Sequence, residues 1–294
     1  MSDYPVNMDV HPQVTAFFDE DTNTISYVVK DPGSNACAVV DSVMDIDMAA
    51  GRITYDQADA MIAHIEREGL NLEWIIETHV HADHLSAAPY IQQKLGGKIG
   101  IGENILIVQD VFGKIFNEGT EFQRDGSQFD RLFKDGDTYT VGGMTCFTIH
   151  TPGHTPACMT HVMGDAAFVG DTLFMPDGGS ARADFPGGDA GELYDSIQKV
   201  LGLPDAMRLF MCHDYGPGGR DIAWETTVAE EKANNIHVGG GKTREEFVKF
   251  RTERDAQLNM PRLILPSLQV NMRAGEVPCD RDGNPMLKLP INRL

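Results

Sequence analysis

The chain has 294 residues, 41% of them hydrophobic and 23% charged, the balance of a globular protein with material for one large domain or two small ones. Its formal net charge of −20 repels phosphate backbones and anionic lipid, so neither nucleic acid nor a membrane is an expected partner. Any pocket for an anion must therefore bring its own basic residues.

No apolar run approaches the ~18 residues of a membrane span. The start, Met1-Ser2-Asp3-Tyr4-Pro5, has neither a basic nor an apolar targeting segment. The five cysteines (Cys37, Cys146, Cys158, Cys212, Cys279) are scattered, with no CxxC pair, and most sit in apolar runs as small hydrophobes. A reducing cytoplasm is the expected location.

The first third reads as an antiparallel opening followed by a helix. Val14–Phe18, Thr24–Val29 and Ala36–Val40 have strand character, with Asp31-Pro32-Gly33 as a turn. Asp41 follows the third run, either as a plain strand end or as a support for functional groups further on. Ala58, Met61, Ile62 and Ile65 fall at helical spacing, closed by Gly69.

Next comes an apolar strand, Leu72–Glu77, and directly after it Thr78-His79-Val80-His81-Ala82-Asp83-His84. Three imidazoles and a carboxylate in six positions suit a metal far better than a polar surface loop. If extension persists, His79 and His81 share one face, and a helix is expected to start at Ser86. A short strand, Ile99–Ile101, leads to a helical stretch over 105–116 whose Val108, Phe112 and Phe116 read as core.

The second half repeats one layout: a buried strand delivering a His or Asp at its C-terminal end. Thr138–Val141 and Met144–Ile149 lead to His150-Thr151-Pro152-Gly153-His154, where Pro and Gly impose a loop. Ala157–Met163 and Ala166–Gly170 lead to Asp171. A helix over Ala190–Leu201 and a strand over Arg208–Cys212 lead to His213-Asp214-Tyr215. Helices are expected over Thr226–Asn235 and Thr243–Leu258, and then a proline-punctuated tail.

HxHxDH, a Gly-His-Thr histidine, a Gly-Asp-Thr aspartate and a late strand-end histidine, in that order, resemble the metal signature of the metallo-β-lactamase superfamily. The resemblance implies an α+β fold: an αβ/βα sandwich of two mixed β-sheets with helices on the outer faces. The expected organisation is one such domain over 1–294, with a helical and extended C-terminal extension from about 222 to 294. Within the superfamily, Arg182-Ala183-Asp184-Phe185 with Leu193-Tyr194-Asp195-Ser196, and the tail Leu265–Gly275, resemble the persulfide dioxygenase (sulfur dioxygenase) family. A longer insertion, roughly Asn104 to Arg131, is similar to a bacterial branch described as β-lactamase-like hydrolases.

That resemblance implies one Fe(II) per chain on His79, His154 and Asp171, a facial set that leaves positions for substrate and O2. It implies oxidation of glutathione persulfide to sulfite and glutathione, that is, sulfide detoxification. His81, Asp83, His84 and His213 either bind a second metal or orient ligands and water by hydrogen bonds, the latter being the expectation; Asp83 and His213 are also candidate catalytic groups. Tyr215 is a candidate for aiming a phenol at the open side, against an ordinary packed tyrosine. Arg182 is the candidate for a glutathione carboxylate, against a plain salt bridge to Asp184; Lys242, Arg244 and Arg273 are weaker ones. His11, His64, His150, His161 and His237 are expected to be structural. The alternatives are a dinuclear hydroxyacylglutathione hydrolase of the glyoxalase II type and a non-catalytic metal or sulfide sensor. A homodimer is the base-rate expectation for such an enzyme.

Overall fold

The computed structural model describes residues 4–293; residues 1–3 and 294, including part of the stretch read for targeting, lie outside the described residues. β1 (Gln13–Asp19), β2 (Thr24–Lys30) and β3 (Ala36–Val40) form the antiparallel opening. β4 (Val43–Asp47) and β5 (Arg52–Thr54) precede α1 (Asp56–Arg67) and β6 (Asn71–Ile76). β7 (Leu85–Ser86), α2 (Ala88–Leu95), β8 (Lys98–Gly102), α3 (Ile105–Ile115) and β9 (Arg131–Phe133) complete the first half. The first sheet has the order β1-β2-β3-β6-β8-β9, and its pairings from β3 onward are parallel.

β10 (Thr138–Val141), β11 (Met144–His150), β12 (Met159–Met163), β13 (Ala166–Phe168), β14 (Arg208–Phe210) and β15 (Glu225–Thr227) form the second sheet in chain order. Only β13 and β14 pair in parallel, because α4 (Ala190–Leu201) crosses between them. α5 (Val228–Asn234), α6 (Arg244–Asp255) and α7 (Ile264–Asn271) follow. Both sheets are mixed, as expected of the sandwich.

Period-two side-chain alternation explains the layers. In β2, Ile25, Tyr27 and Val29 enter the core between the sheets, where Met144, Cys146, Phe168 and Phe210 of the second sheet meet them. Val28 and, in β3, Cys37 and Val39 face the other way, under α1, α2, α3 and α7. Phe147 and Ile149 of β11 likewise turn outward to Leu193, Ile197 and Val200 of α4. The helices match: α1 buries Ala58, Met61, Ile62 and Ile65, each large side chain contributing about 1.5–3 kcal/mol. α4 starts at Asp189, whose carboxylate accepts from Glu192 N at 2.8 Å, and α6 starts at a Thr243–Glu246 capping box; each cap is worth about 1 kcal/mol.

Three local expectations shift. The helix expected from Ser86 begins at Ala88, because Leu85 and Ser86 pair with β4 in a small third sheet, β5-β4-β7. Thr226 and Thr227 belong to β15, and the helix follows them. The proline-punctuated tail contains α7, whose Pro266 lies in the first turn, where a missing N–H costs nothing.

Candidate metal centre

β6 stops at Ile76, and residues 77–84 are neither strand nor helix, so the extension assumed for His79–His81 does not persist. The loop is pinned from both sheets. Glu77 N donates to Gly100 O of β8 at 2.9 Å, and Met159 N of β12 donates to Thr78 O at 2.8 Å. Asp41, just past β3 with φ of +52°, accepts from Thr78 N at 2.7 Å and Thr78 Oγ1 at 2.8 Å. It also lies 3.0 Å from His81 Nε2. A non-glycine residue in that conformation is uncommon, and this one is held by the loop it supports.

The other members arrive on the second sheet. His154 follows β11, Asp171 follows β13 and His213 follows β14. Two glycines permit these approaches. At Gly153 (φ +127°) a Cβ would lie 2.2 Å from Leu193 N, and at Gly170 (φ +52°) 2.6 Å from Thr78 Oγ1 and 3.3 Å from His79 Nδ1.

His79 Nε2 and His154 Nε2 lie 3.9 and 3.5 Å from Asp171 Oδ2, and the three residues offer ligand atoms within 4.8 Å of one another. Thr78 Oγ1 sits 3.0 Å from His79 Nδ1, and Arg182 O sits 2.8 Å from His154 Nδ1, so both Nε2 atoms are left facing the cluster. On the flank, His213 Nε2 lies 3.1 Å from Asp83 Oδ2 and 3.5 Å from Asp171 Oδ1, its Nδ1 held 3.1 Å from Asn23 O. His81, Asp83 and His84 form a further close group.

Burial and the surrounding imidazoles hold His79 well below the usual histidine range. Burial also works against a charged His81 and His213, but Asp41 and Glu77 around the former, and Asp83 and Asp171 around the latter, raise both. Asp83 is lowered: burial opposes this, and His213 and His84 outweigh it.

The donor set fits a cation. His79 Nε2, His81 Nδ1, His84 Nε2, Asp171 Oδ1 and His213 Nε2 are all buried and make no directed hydrogen bond among the described residues. Buried polar atoms are ordinarily satisfied, and imidazole nitrogens with a carboxylate are donors for zinc or iron. Ligand atoms on one face of a metal sphere stand ~3 Å apart for bonds of ~2.1 Å, a small contraction from the distances here.

Asp83, His154 and Asp171 line a cavity of about 720 Å³ that also touches Phe174, Arg182, Tyr215, His237, Arg251, Arg254 and Arg262. The guanidinium of Arg182 is already engaged, at 2.5 and 2.7 Å to Asp184 and 2.7 Å to Asn259 O, which is the salt-bridge alternative. Arg251 is buried against Asp255 and Ser180 O. Neither the Arg254 nor the Arg262 guanidinium has an ion pair or hydrogen bond among the described residues. Tyr215 is 59% exposed, its ring parallel to His213 at 6.2 Å.

Lys242 is bound to Ile236 O, Arg244 to Asp195, and Arg273 to Glu118. Among the remaining histidines, His11 pairs with Asp165, His64 with Arg67, His150 with Pro156 O and His161 with Tyr139; His237 receives Ser180 N but does line the cavity. Sequence reasoning passed over Glu77, Arg254 and Arg262. The first looks like a strand residue, and lack of a partner at the other two is visible only in three dimensions.

The family model described as the metallo-beta-lactamase superfamily matches residues 20–213, and the chain belongs to that superfamily. It is 55% identical to a probable metallo-hydrolase of Burkholderia pseudomallei, over 96% of this chain and 99% of the relative. It is 45% identical to glyoxylase B2 of Dictyostelium discoideum, over 96% and 98%. Identity to the human mitochondrial persulfide dioxygenase is 31%, over 86% and 84%. Among solved structures, ETHE1 from Myxococcus xanthus superposes with a TM-score of 0.71 at 27% identity, covering 90% of this chain and all of that one.

Proposed function

We propose that the chain is a mononuclear Fe(II) persulfide dioxygenase, converting glutathione persulfide, O2 and water to glutathione, sulfite and two protons. The observation that carries this reading is the convergence of His79, His154 and Asp171, two nitrogens and one carboxylate, beside an open cavity. The 31% identity to a persulfide dioxygenase supports it. Iron bound there supplies open coordination positions together with redox capacity, a combination that zinc lacks.

The remaining chemistry belongs to the chain. Arg182 O fixes the His154 ring through Nδ1. His213 Nε2, set between Asp83 and Asp171, is where a proton from the consumed water is held and passed on. The Tyr215 phenol donates to the substrate at the cavity wall. Arg254 and Arg262 attract the carboxylates of glutathione against the −20 background, while Arg182 keeps Asp184.

One set of atoms favours a second reading. His84 Nε2 and His213 Nε2, with Asp83 and Asp171 nearby, are donors enough for a second cation and for hydroxyacylglutathione hydrolysis, and a glyoxylase B2 is among the relatives. Anaerobic reconstitution separates the two. Iron-loaded chain is expected to consume O2 with glutathione persulfide and zinc-loaded chain to do nothing; oxygen-indifferent thioester hydrolysis with two metals bound would establish the hydrolase instead.

A further inference from the structure

α7 reaches the metal loop from the far end of the sequence. Its Asn271 is 4% exposed, and three hydrogen bonds engage its amide. Oδ1 accepts from Ser86 N at 2.8 Å, and Nδ2 donates to His81 O at 2.9 Å and His84 O at 2.8 Å. These bonds grip both ends of the segment from His81 to Ser86, which carries Asp83 and His84. Because residues 77–84 have no helix or strand of their own, their carbonyls depend on donors from elsewhere. Asparagine meets that need with one acceptor and two donors on a single rigid plane.

The helix is itself braced. A Cβ at Gly275 (φ +94°) would lie 2.5 Å from Pro89 Cδ and 2.8 Å from Ser86 O, so the backbone after α7 is pressed against the start of α2. Gln109 of α3 donates from Nε2 to Met272 O at 2.9 Å and accepts from Gly126 N at 3.0 Å. Arg273 lies 4.2 Å over the Phe122 ring and 2.9 Å from Glu118. The segment over 104–131 therefore packs on α7, and α7 holds the loop.

We infer that Asn271 is a positioning residue of the metal centre, setting the His81–Ser86 backbone so that Asp83 and His84 stay in register with His79, and that Gln109 is its brace. This rests on the reading that the cluster binds a metal, not on which reaction it runs. Cobalt(II), whose visible absorption reports ligand geometry, is a suitable probe on the full chain. Asn271→Asp is isosteric and keeps the acceptor for Ser86 N, but turns a carboxylate oxygen toward two carbonyls.

In that variant cobalt affinity is expected to fall about tenfold or more, with shifted absorption bands and a smaller metal-induced rise in Tm. Gln109→Ala is expected to move the same readouts in the same direction by about two- to threefold, and it decides the matter if the Asn271→Asp chain fails to fold. A purely structural role would lower Tm equally with and without cobalt and leave affinity and spectrum at wild-type values, and that result overturns the inference. Wild-type chain that takes up no cobalt would instead sink the metal reading, and the positioning role with it.

Discussion

His79, His154 and Asp171 differ from His81, Asp83, His84 and His213 in what stands behind them. The first set is backed by neutral groups, Thr78 Oγ1 and the Arg182 carbonyl, and opposes two imidazoles to one carboxylate on the cavity side. The second set carries its own compensation: His81 lies between Asp41 and Glu77, and His213 beside Asp83. Imidazoles paired with carboxylates, as His81 and His213 are, can stay buried and charged without a cation, and the first set has no such backing. Both sets nevertheless leave buried atoms without a hydrogen bond, His79 Nε2 and Asp171 Oδ1 in the first and His81 Nδ1, His84 Nε2 and His213 Nε2 in the second. Residues of one chemical type in one cluster can thus hold a metal or replace one, according to their partners.

The sharpest way to break this comparison is to remove one member from each side. His154→Ala is expected to lose its iron and, at several kcal/mol of lost stabilisation, activity by about 10³-fold. His84→Ala is expected to keep one iron per chain, bound more weakly, and to lose about 10- to 100-fold in activity, the range for groups that orient ligands. Iron analysis with oxygen uptake reads both, and equal iron loss in the two variants would erase the distinction.

Asp41→Asn tests the backing of the loop. The substitution removes the charge that accepts from Thr78 and neighbours His81. Metal affinity is expected to fall by about tenfold, with a stability loss of about 1–3 kcal/mol from the unsatisfied donors, measured by metal titration and denaturant unfolding.

The cavity side sharpens the contrast by a smaller amount. Arg254→Ala and Arg262→Ala are each expected to raise KM for glutathione persulfide by up to about tenfold with kcat near wild type, the loss of one charged hydrogen bond. Arg182→Ala, whose guanidinium is committed to Asp184 and Asn259, is expected to lower Tm more than it raises KM.

The smallest effect is a control away from the cluster. Glu231 of α5 is fully buried, and burial pushes its carboxyl up to about 8. A carboxyl raised on folding contributes stability that is complete below its unfolded value of about 4.5 and is lost as pH rises toward 8. Glu231→Gln is therefore expected to gain on wild type between pH 5 and 9, by about 2–4 °C in Tm per kcal/mol, with metal content unchanged. A Tm difference independent of pH would contradict the sign.

Much of the centre was legible because it is dense or periodic. Four ligand-type residues crowd the stretch from His79 to His84, and alternating apolar strands announce where His154, Asp171 and His213 emerge. The alternation of β2, β3 and β11 likewise carries the layers. What stayed hidden depends on tertiary partners. α7 is masked by Pro266, which reads as a breaker until it proves to lie in a first turn. β5 and β7 are too short to leave a period. Asn271 lies in the tail that resembles the dioxygenase family, but nothing in the sequence marks it as reaching the metal loop, and Arg182 and Arg254 look alike until Asp184 is seen to occupy only one of them.

The central claim, one iron on His79, His154 and Asp171 running an oxygen-dependent reaction, is tested most directly by counting metal and oxygen in one preparation. Chain reconstituted without air is expected to hold one iron and, given glutathione persulfide, to consume one O2 for each sulfite formed. Two metals per chain with thioester hydrolysis unchanged by oxygen would contradict it.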